Sequence, residues 1–418
     1  MSSSPRSVFL IVAALSACND YSARCTVVAD ETALTAISPL ESNTATITAG
    51  AGGSATVAWL VYPATDAGTA GLGAATSSAP IPATASIALV DALGGLASQT
   101  SLRAPSALTE RKGSTPFNGV IWTGQGALFL WTEEIDGTLP DGTATMSQTL
   151  KLDVVFPDGG SATEPVPDGA SCDMCTLQVL FASTGEGVSV LYIATPTGAG
   201  PTTAGYVQVS ALGALLGKGP LPWLTPLLGG AGSVSPSLRA SGQNLLLLTG
   251  ANVVGVSAAL APLTDAMPLP NSYSLALSWS GGIADVATVW TETASPDGSI
   301  GIGVDPALYF QRSAVTGRPV TPVARVSTGD LVYGLAMDGT GQYGLVFAAD
   351  GHEYFDAIDP TGDKRGGDLD FGASLANDAG ANVLGGEQHL VNAVAAGRFV
   401  DIYVANGGLG RREVMCAP

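Results

Sequence analysis

The sequence predicts an all-β protein assembled from many short antiparallel strands in a repeating unit, and three observations carry that prediction. Apolar runs are short, rich in Val, Leu, Ile, Trp and Tyr, and broken by Asp-Gly, Pro-Asp-Gly and Thr-Gly, which is the punctuation of strands and turns rather than a 3.6-residue helical period. Hydrophobic residues make up 46% of the 418 positions and charged residues only 12%, with 54 glycines; so apolar a chain of this length buries a large core and is not disordered. Finally, Leu308-Tyr309-Phe310 followed by Thr316-Gly317 recurs as Glu353-Tyr354-Phe355 followed by Thr361-Gly362, both features offset by 45 residues.

At the N-terminus, Arg6 precedes the apolar stretch Val8 to Leu15, which is too short to cross a bilayer but long enough for a signal-peptide core. It closes on Leu15-Ser16-Ala17-Cys18, which resembles the signal of a bacterial lipoprotein. The resemblance implies removal of residues 1–17 and acylation of Cys18 on its thiol and new amino group. An ordinary secretory signal cut after Ala17, leaving Cys18 free, is the alternative. Each buried acyl methylene contributes about 0.8 kcal/mol, so one chain binds reversibly and several hold. Residues 18–24 form a tether that extends at most about 3.5 Å per residue, keeping the body near the lipid surface. An Asp directly after the cysteine commonly retains such lipoproteins in the inner membrane. Here Asn19 stands there and Asp20 follows, so the outer membrane is the expected site. The later apolar stretch from Leu212 to Leu228 carries Lys218, Pro220, Pro222 and Pro226 and is not a membrane helix.

Loss of Arg6 leaves the mature chain with a net charge near −20. Such a surface repels phosphate backbones, so nucleic acid is excluded as a partner. Solubility accounts for the acidity without a calcium or cationic-substrate role. A monomer is expected.

Within 25–418 the repeat continues. A third copy runs Leu191-Tyr192-Ile193, Thr197-Gly198, Val209-Ser210, matching Val326-Ser327 at the end of the first, and a fourth begins at Ile402-Tyr403, which is 48 residues after Phe355. Apolar strands precede each copy at Leu177 to Ala182, Val286 to Trp290, Tyr343 to Ala348 and Val391 to Ala396. Comparable inner-strand runs occur at Val57 to Tyr62, Ala127 to Trp131 and Asn244 to Leu248. Units of this length built from strands and turns resemble the blades of a β-propeller, four-stranded sheets set radially around a channel. The resemblance implies seven blades, with six or eight also compatible, and a ring closed near the termini. A pair of β-sandwiches or a β-solenoid would use similar strands.

The cysteines fit closure. Cys25 follows the tether and Cys416 is two residues from the end, so a disulfide between them would join first strand to last and add roughly 4 to 5 kcal/mol by the chain-entropy model, less strain. Cys172 and Cys175 form the second pair, leaving Cys18 for lipid; four cysteines permit three pairings, and an oxidising compartment favours disulfides. A thioredoxin-like couple needs a helix after the first cysteine, whereas Thr176 to Phe181 reads as a strand. Haem attachment fails on Thr176, and no second CxxC or histidine cluster offers zinc four ligands.

Other motifs dissolve in context. Gly339-Thr340-Gly341-Gln342-Tyr343-Gly344 matches GxGxxG but runs into the strand Leu345 to Ala348 rather than a helix, so it reads as a glycine turn. Gly213 to Gly219 misses a P-loop by one spacer. Only His352 and His389 could serve a triad, and no Gly-x-Ser-x-Gly elbow supplies a nucleophile. Glu133-Glu134 and Asp368-x-Asp370 are carboxylate pairs that could line a channel as acid and base. Asp-Gly turns such as Asp297-Gly298 and Asp338-Gly339 call for glycine at positive φ and not for calcium. The expectation is a binding module for a protein, glycan or peptide, without metal or cofactor, and the alternative is a glycan- or ester-acting enzyme using channel carboxylates. Trp223, among Leu221, Leu224, Leu227 and Leu228, is either packed core or a contact residue.

Overall fold

The computed structural model describes residues 25–37, 45–49, 54–61, 84–105, 117–123, 125–138, 144–164, 170–184, 187–228, 234–241, 244–250, 252–268, 277–281, 285–292, 306–314, 318–329, 331–373, 388–405 and 408–417. The signal, Cys18, the tether, Asp297-Gly298 and Thr316-Gly317 lie outside the described residues.

The strands form seven antiparallel sheets. After β1 (Cys25–Thr35), blade 1 contains β2 (Thr46–Ala49), β3 (Ala55–Val61), β4 (Thr84–Val90) and β5 (Leu96–Arg103). Blade 2 contains β6 (Phe117–Trp122), β7 (Ala127–Thr138) and β8 (Ala144–Val155), its outer position shared by β9 (Ser161–Thr163) and β10 (Ser171–Asp173). Blade 3 contains β11 (Cys175–Thr184), β12 (Gly187–Pro196), β13 (Thr203–Ser210) and β14 (Leu215–Pro220). Blade 4 contains β15 (Val234–Ser241), β16 (Asn244–Gly250), β17 (Asn252–Val256) and β18 (Met267–Pro268). Blade 5 contains β19 (Leu277–Gly281), β20 (Asp285–Glu292), β21 (Ala307–Ala314) and β22 (Ala324–Thr328). Blade 6 contains β23 (Leu331–Met337), β24 (Tyr343–Ala349), β25 (His352–Ile358) and β26 (Lys364–Ala373). Blade 7 contains β27 (Gln388–Ala395), β28 (Arg398–Ala405) and β29 (Gly408–Cys416), and takes β1 as its outer strand.

The core consists of layers between blades, one for each neighbouring pair. Ala58, Ile87 and Phe129 fill the layer between blades 1 and 2, Leu152 and Val190 the next, and Leu191, Leu245 and Val256 the one between blades 3 and 4. Leu248 and Val286 join blades 4 and 5, Phe310 and Phe347 join 5 and 6, and Phe355 and Phe399 join 6 and 7. Trp59, Val90 and Ile402 close the circle between blades 7 and 1. The chain is therefore a seven-bladed β-propeller. Because each sheet is covered on both faces, alternation is lost in its middle strands: Leu245, Leu246, Leu247 and Leu248 are all buried.

Strand order corrects part of the repeat reading. Leu177 to Ala182 and Val391 to Ala396 fall at the innermost strands β11 and β27, while the other five apolar runs belong to second strands. Tyr309 and Tyr354 are equivalent, both on third strands, but Tyr192 and Tyr403 lie on the second strands β12 and β28. The latter two recur for a different reason. Each stands opposite a glycine in the next strand, Gly205 and Gly410, and its ring occupies the space a Cβ would take; a Cβ on Gly410 would lie 2.6 Å from Tyr403 Oη.

The tight hairpins share one chemistry. Asp91, Ser210 and Asp359 each accept hydrogen bonds from the backbone N–H groups two and four residues on, and Ser257 from that four residues on. The fourth residue of each turn takes positive φ, at Gly94 (80°), Gly213 (78°), Leu260 (55°) and Gly362 (96°). The turn at Asp338 follows the same rule, so Gly341 (φ 88°), and not Gly339, holds the left-handed position. It leads into β24 as a glycine turn. Because strands alternate in direction, these turns share one face of the ring.

Both disulfides form. Cys25 and Cys416 are partners in the β1–β29 ladder, with Cα atoms 4.0 Å apart. That is slightly closer than the common range. Cys172 ends blade 2 and Cys175 begins blade 3, so the second disulfide, with Cα atoms 5.9 Å apart, pins the passage between blades.

Candidate functional site

The innermost strands β2, β11, β15, β23 and β27 enclose an axial cavity of about 450 Å³. Its polar equipment comes from Thr48, Ser183, Arg239 and Asn392, and its aromatic walls from Phe181 and Tyr333. No carboxylate is among the described residues lining it. Thr48 is 9% exposed and its hydroxyl has no hydrogen-bond partner among the described residues. Partial burial pulls the Arg239 pKa down to about 10, which leaves the guanidinium charged at neutral pH. Gly119 on β6 lets Phe181 reach past it, since a Cβ there would meet the ring at 2.7 Å and Thr46 Cγ2 at 3.0 Å. Blades 1 and 3 thereby close over blade 2 on one side of the cavity.

Behind the cavity wall, a charged cluster is buried between blades 6 and 7. His389 Nδ1 is 3.0 Å from Asp401 Oδ1, and the ring stacks between Tyr333 (centroids 4.2 Å apart) and Tyr403 (5.7 Å). Arg412 donates to Glu353, lies 3.9 Å from Asp401, and packs over the rings of Tyr403 and Phe371. All four charged or titratable side chains are at most 4% exposed. Burial lowers the Arg412 pKa, but Glu353 and Asp401 outweigh it and hold the group above its ordinary value. Although His389 borders the cavity, its ring is sealed within this cluster.

The carboxylate pairs named from sequence do not line the cavity. Glu133 pairs with Lys151 at 3.0 Å on the second and third strands of blade 2, and Glu134 accepts from Gln148 at 2.7 Å. Asp368 and Asp370 are on β26, the outer strand of blade 6, where Asp368 meets Lys364 and Ser327 while Asp370 holds His352 at 3.1 Å. That position puts them at the rim, so the acid-and-base channel pair is set aside. Trp223 is half-buried against the layer between blades 3 and 4, beside the buried Leu221 and Leu224, with its indole N–H inside and without an acceptor among the described residues. Of its two readings the packed one fits. Among the described residues no group of three or more His, Cys, Asp or Glu is placed to hold a metal. Sequence reasoning missed Arg239, Thr48 and the His389–Asp401–Arg412–Glu353 cluster; a basic or acidic residue interrupting an otherwise apolar blade strand was the available signal.

No protein-family model and no curated protein matches the sequence. Among solved structures, the chain is similar to a prolyl endopeptidase at 12% identity and a TM-score of 0.41, covering 87% of this chain and 46% of that one. This chain thus spans less than half of that protein. It is also similar to the β-propeller domain of the Trilobed protease from Pyrococcus furiosus (7% identity, TM-score 0.41, 88% and 93% covered) and to the WD40 domain of SCAP from fission yeast (9%, 0.35, 94% and 98%). Likeness this distant carries no activity across.

Proposed function

We propose that this chain is a lipid-anchored envelope protein of the outer membrane whose propeller is a monomeric binding module for a protein, glycan or peptide. The observation that carries the reading is the axial cavity, walled by aromatic, hydroxyl and amide groups and one cation. A concavity that mixes apolar and aromatic wall with placed polar groups is the usual form of a recognition site. The titratable groups nearest the cavity wall are paired with one another: Asp401 holds His389 and Glu353 holds Arg412, both inside the blade 6–7 layer. The segment Leu15-Ser16-Ala17-Cys18 supports the anchor.

Fractionation and capture test both halves. Wild-type protein is expected with the membranes, and Cys18→Ser in the soluble fraction while still retaining the same partners from envelope extract. Tight membrane association of the variant refutes the anchor. Turnover of a glycan or ester by the purified protein refutes the binding reading.

A further inference from the structure

The net charge of the chain is −19, and a surface of that sign disfavours anions. The axial cavity is an exception. Its described lining holds Arg239 and no carboxylate, and Thr48, itself about nine-tenths buried, carries a hydroxyl without a hydrogen-bond partner among the described residues. A guanidinium has five N–H donors in a fixed fork, so it can keep a protein partner and still offer donors to a carboxylate. A buried hydroxyl without a partner costs about 1–3 kcal/mol, which a ligand atom would recover. Phe181, Leu238 and Leu335 give the cavity apolar wall beside the polar Ser183 and Asn392. The volume of about 450 Å³ lies within the range of small-molecule sites.

We propose that the axial cavity binds a small organic carboxylate with an apolar body, of the chemistry of an N-acylated dipeptide, the carboxylate meeting Arg239 and a second polar atom meeting Thr48 Oγ. This rests on the reading of the propeller as a binding module and adds its ligand class. The charge of the ligand decides affinity because the Arg239 guanidinium attracts a carboxylate inside a recessed cavity, where a like-sized neutral group gains no comparable attraction.

Calorimetric titration with N-acetyl-Leu-Leu and with its C-terminal amide tests the assignment, since the two differ only in the charged group. The free acid is expected to bind at least tenfold tighter than the amide. Arg239→Gln should abolish that preference, Arg239→Lys should retain part of it, and Thr48→Val should weaken both probes several-fold with the acid still preferred. Melting curves of each variant report folding separately. Equal binding of acid and amide, or no binding of the acid at millimolar concentration by folded wild-type protein, overturns the assignment. Capture of envelope partners by that same protein then leaves the binding-module reading standing.

Discussion

Removing Arg412 should destabilise the propeller more than any exposed charge would. Its side chain is 4% exposed and serves two carboxylates, Glu353 and Asp401, that are themselves 1% and 2% exposed. Arg412→Met keeps the aliphatic stem against Tyr403 and Phe371 but leaves both anions in the blade 6–7 layer without their guanidinium. Stripping one partner from a buried pair costs about 3–5 kcal/mol. Glu353→Gln keeps the shape and leaves Arg412 with Asp401, so the loss is that of one charged hydrogen bond, about 1.5–3 kcal/mol. The double variant lacks both members, and its cost should fall short of the sum by about 1–3 kcal/mol, the coupling of a contacting pair. Lys151→Met is the control: its pair with Glu133 is 38% and 47% exposed, and such pairs contribute about 0–1 kcal/mol. Urea unfolding followed by tryptophan fluorescence, disulfides intact, measures the four variants beside wild type at low and high salt. The Arg412 effect should persist in salt because buried pairs are poorly screened. A loss below about 1 kcal/mol for Arg412→Met, or additivity within about 0.5 kcal/mol in the double variant, refutes the argument.

Three further outcomes follow from the geometry. Gly410→Ala should cost about 1–3 kcal/mol by overpacking, because the new methyl meets the Tyr403 ring, and a companion Tyr403→Leu should restore part of the loss; the thermal midpoint reads both. Replacing Cys25 and Cys416 by Ser should lower the midpoint and expose β1 to protease, whereas the Cys172/Cys175 double variant should leave β1 protected. Two aspartates give opposite pH slopes in urea midpoints measured from about pH 3 to 9. Burial raises Asp356 from 3.8 to about 8, so its folded form holds a proton that the unfolded form releases. This group therefore removes stability as pH rises from about 4 to 8, and Asp356→Asn should flatten that limb. For Asp338, burial pushes the pKa up but hydrogen bonds from Gly397, Thr340 and Gln342 outweigh it and leave the carboxyl below 3.8. Its contribution is full above that value and disappears as acid passes the folded pKa, a loss that Asp338→Asn should abolish.

The ring was legible because its period is written in turn chemistry. The Thr-Gly at 361–362 marks a hairpin whose side-chain acceptor, Asp359, and left-handed glycine are both visible in sequence. Strand identity within a blade was less legible. The first two strands of a blade both meet neighbouring blades, so Leu177 to Ala182 in the innermost position has the same apolar character as Val57 to Val61 one strand further out. The aromatic repeat misled for a related reason, since Tyr192 and Tyr403 answer to glycines opposite them rather than to a shared blade position. The cavity and the cluster behind it were hidden because their members are distant in sequence: Glu353 and Arg412 are 59 residues apart, and Thr48 faces a space whose other walls lie on four later blades. A single polar residue in an apolar strand reads equally as a solvated edge until the ring is closed.

The position of Cys25 has a mechanical consequence. A pull on the N-terminal end of the chain reaches the propeller first at this residue, which is also the first rung of the β1–β29 ladder. Without a covalent link, the load would peel β1 away one hydrogen-bonded rung at a time, beginning at the end where force enters. The disulfide instead passes the load to Cys416 on β29, a strand paired on both sides, by β1 and by β28, so β1 stays fastened where force enters. The propeller can thus be tugged by its leading end without its seam unzipping.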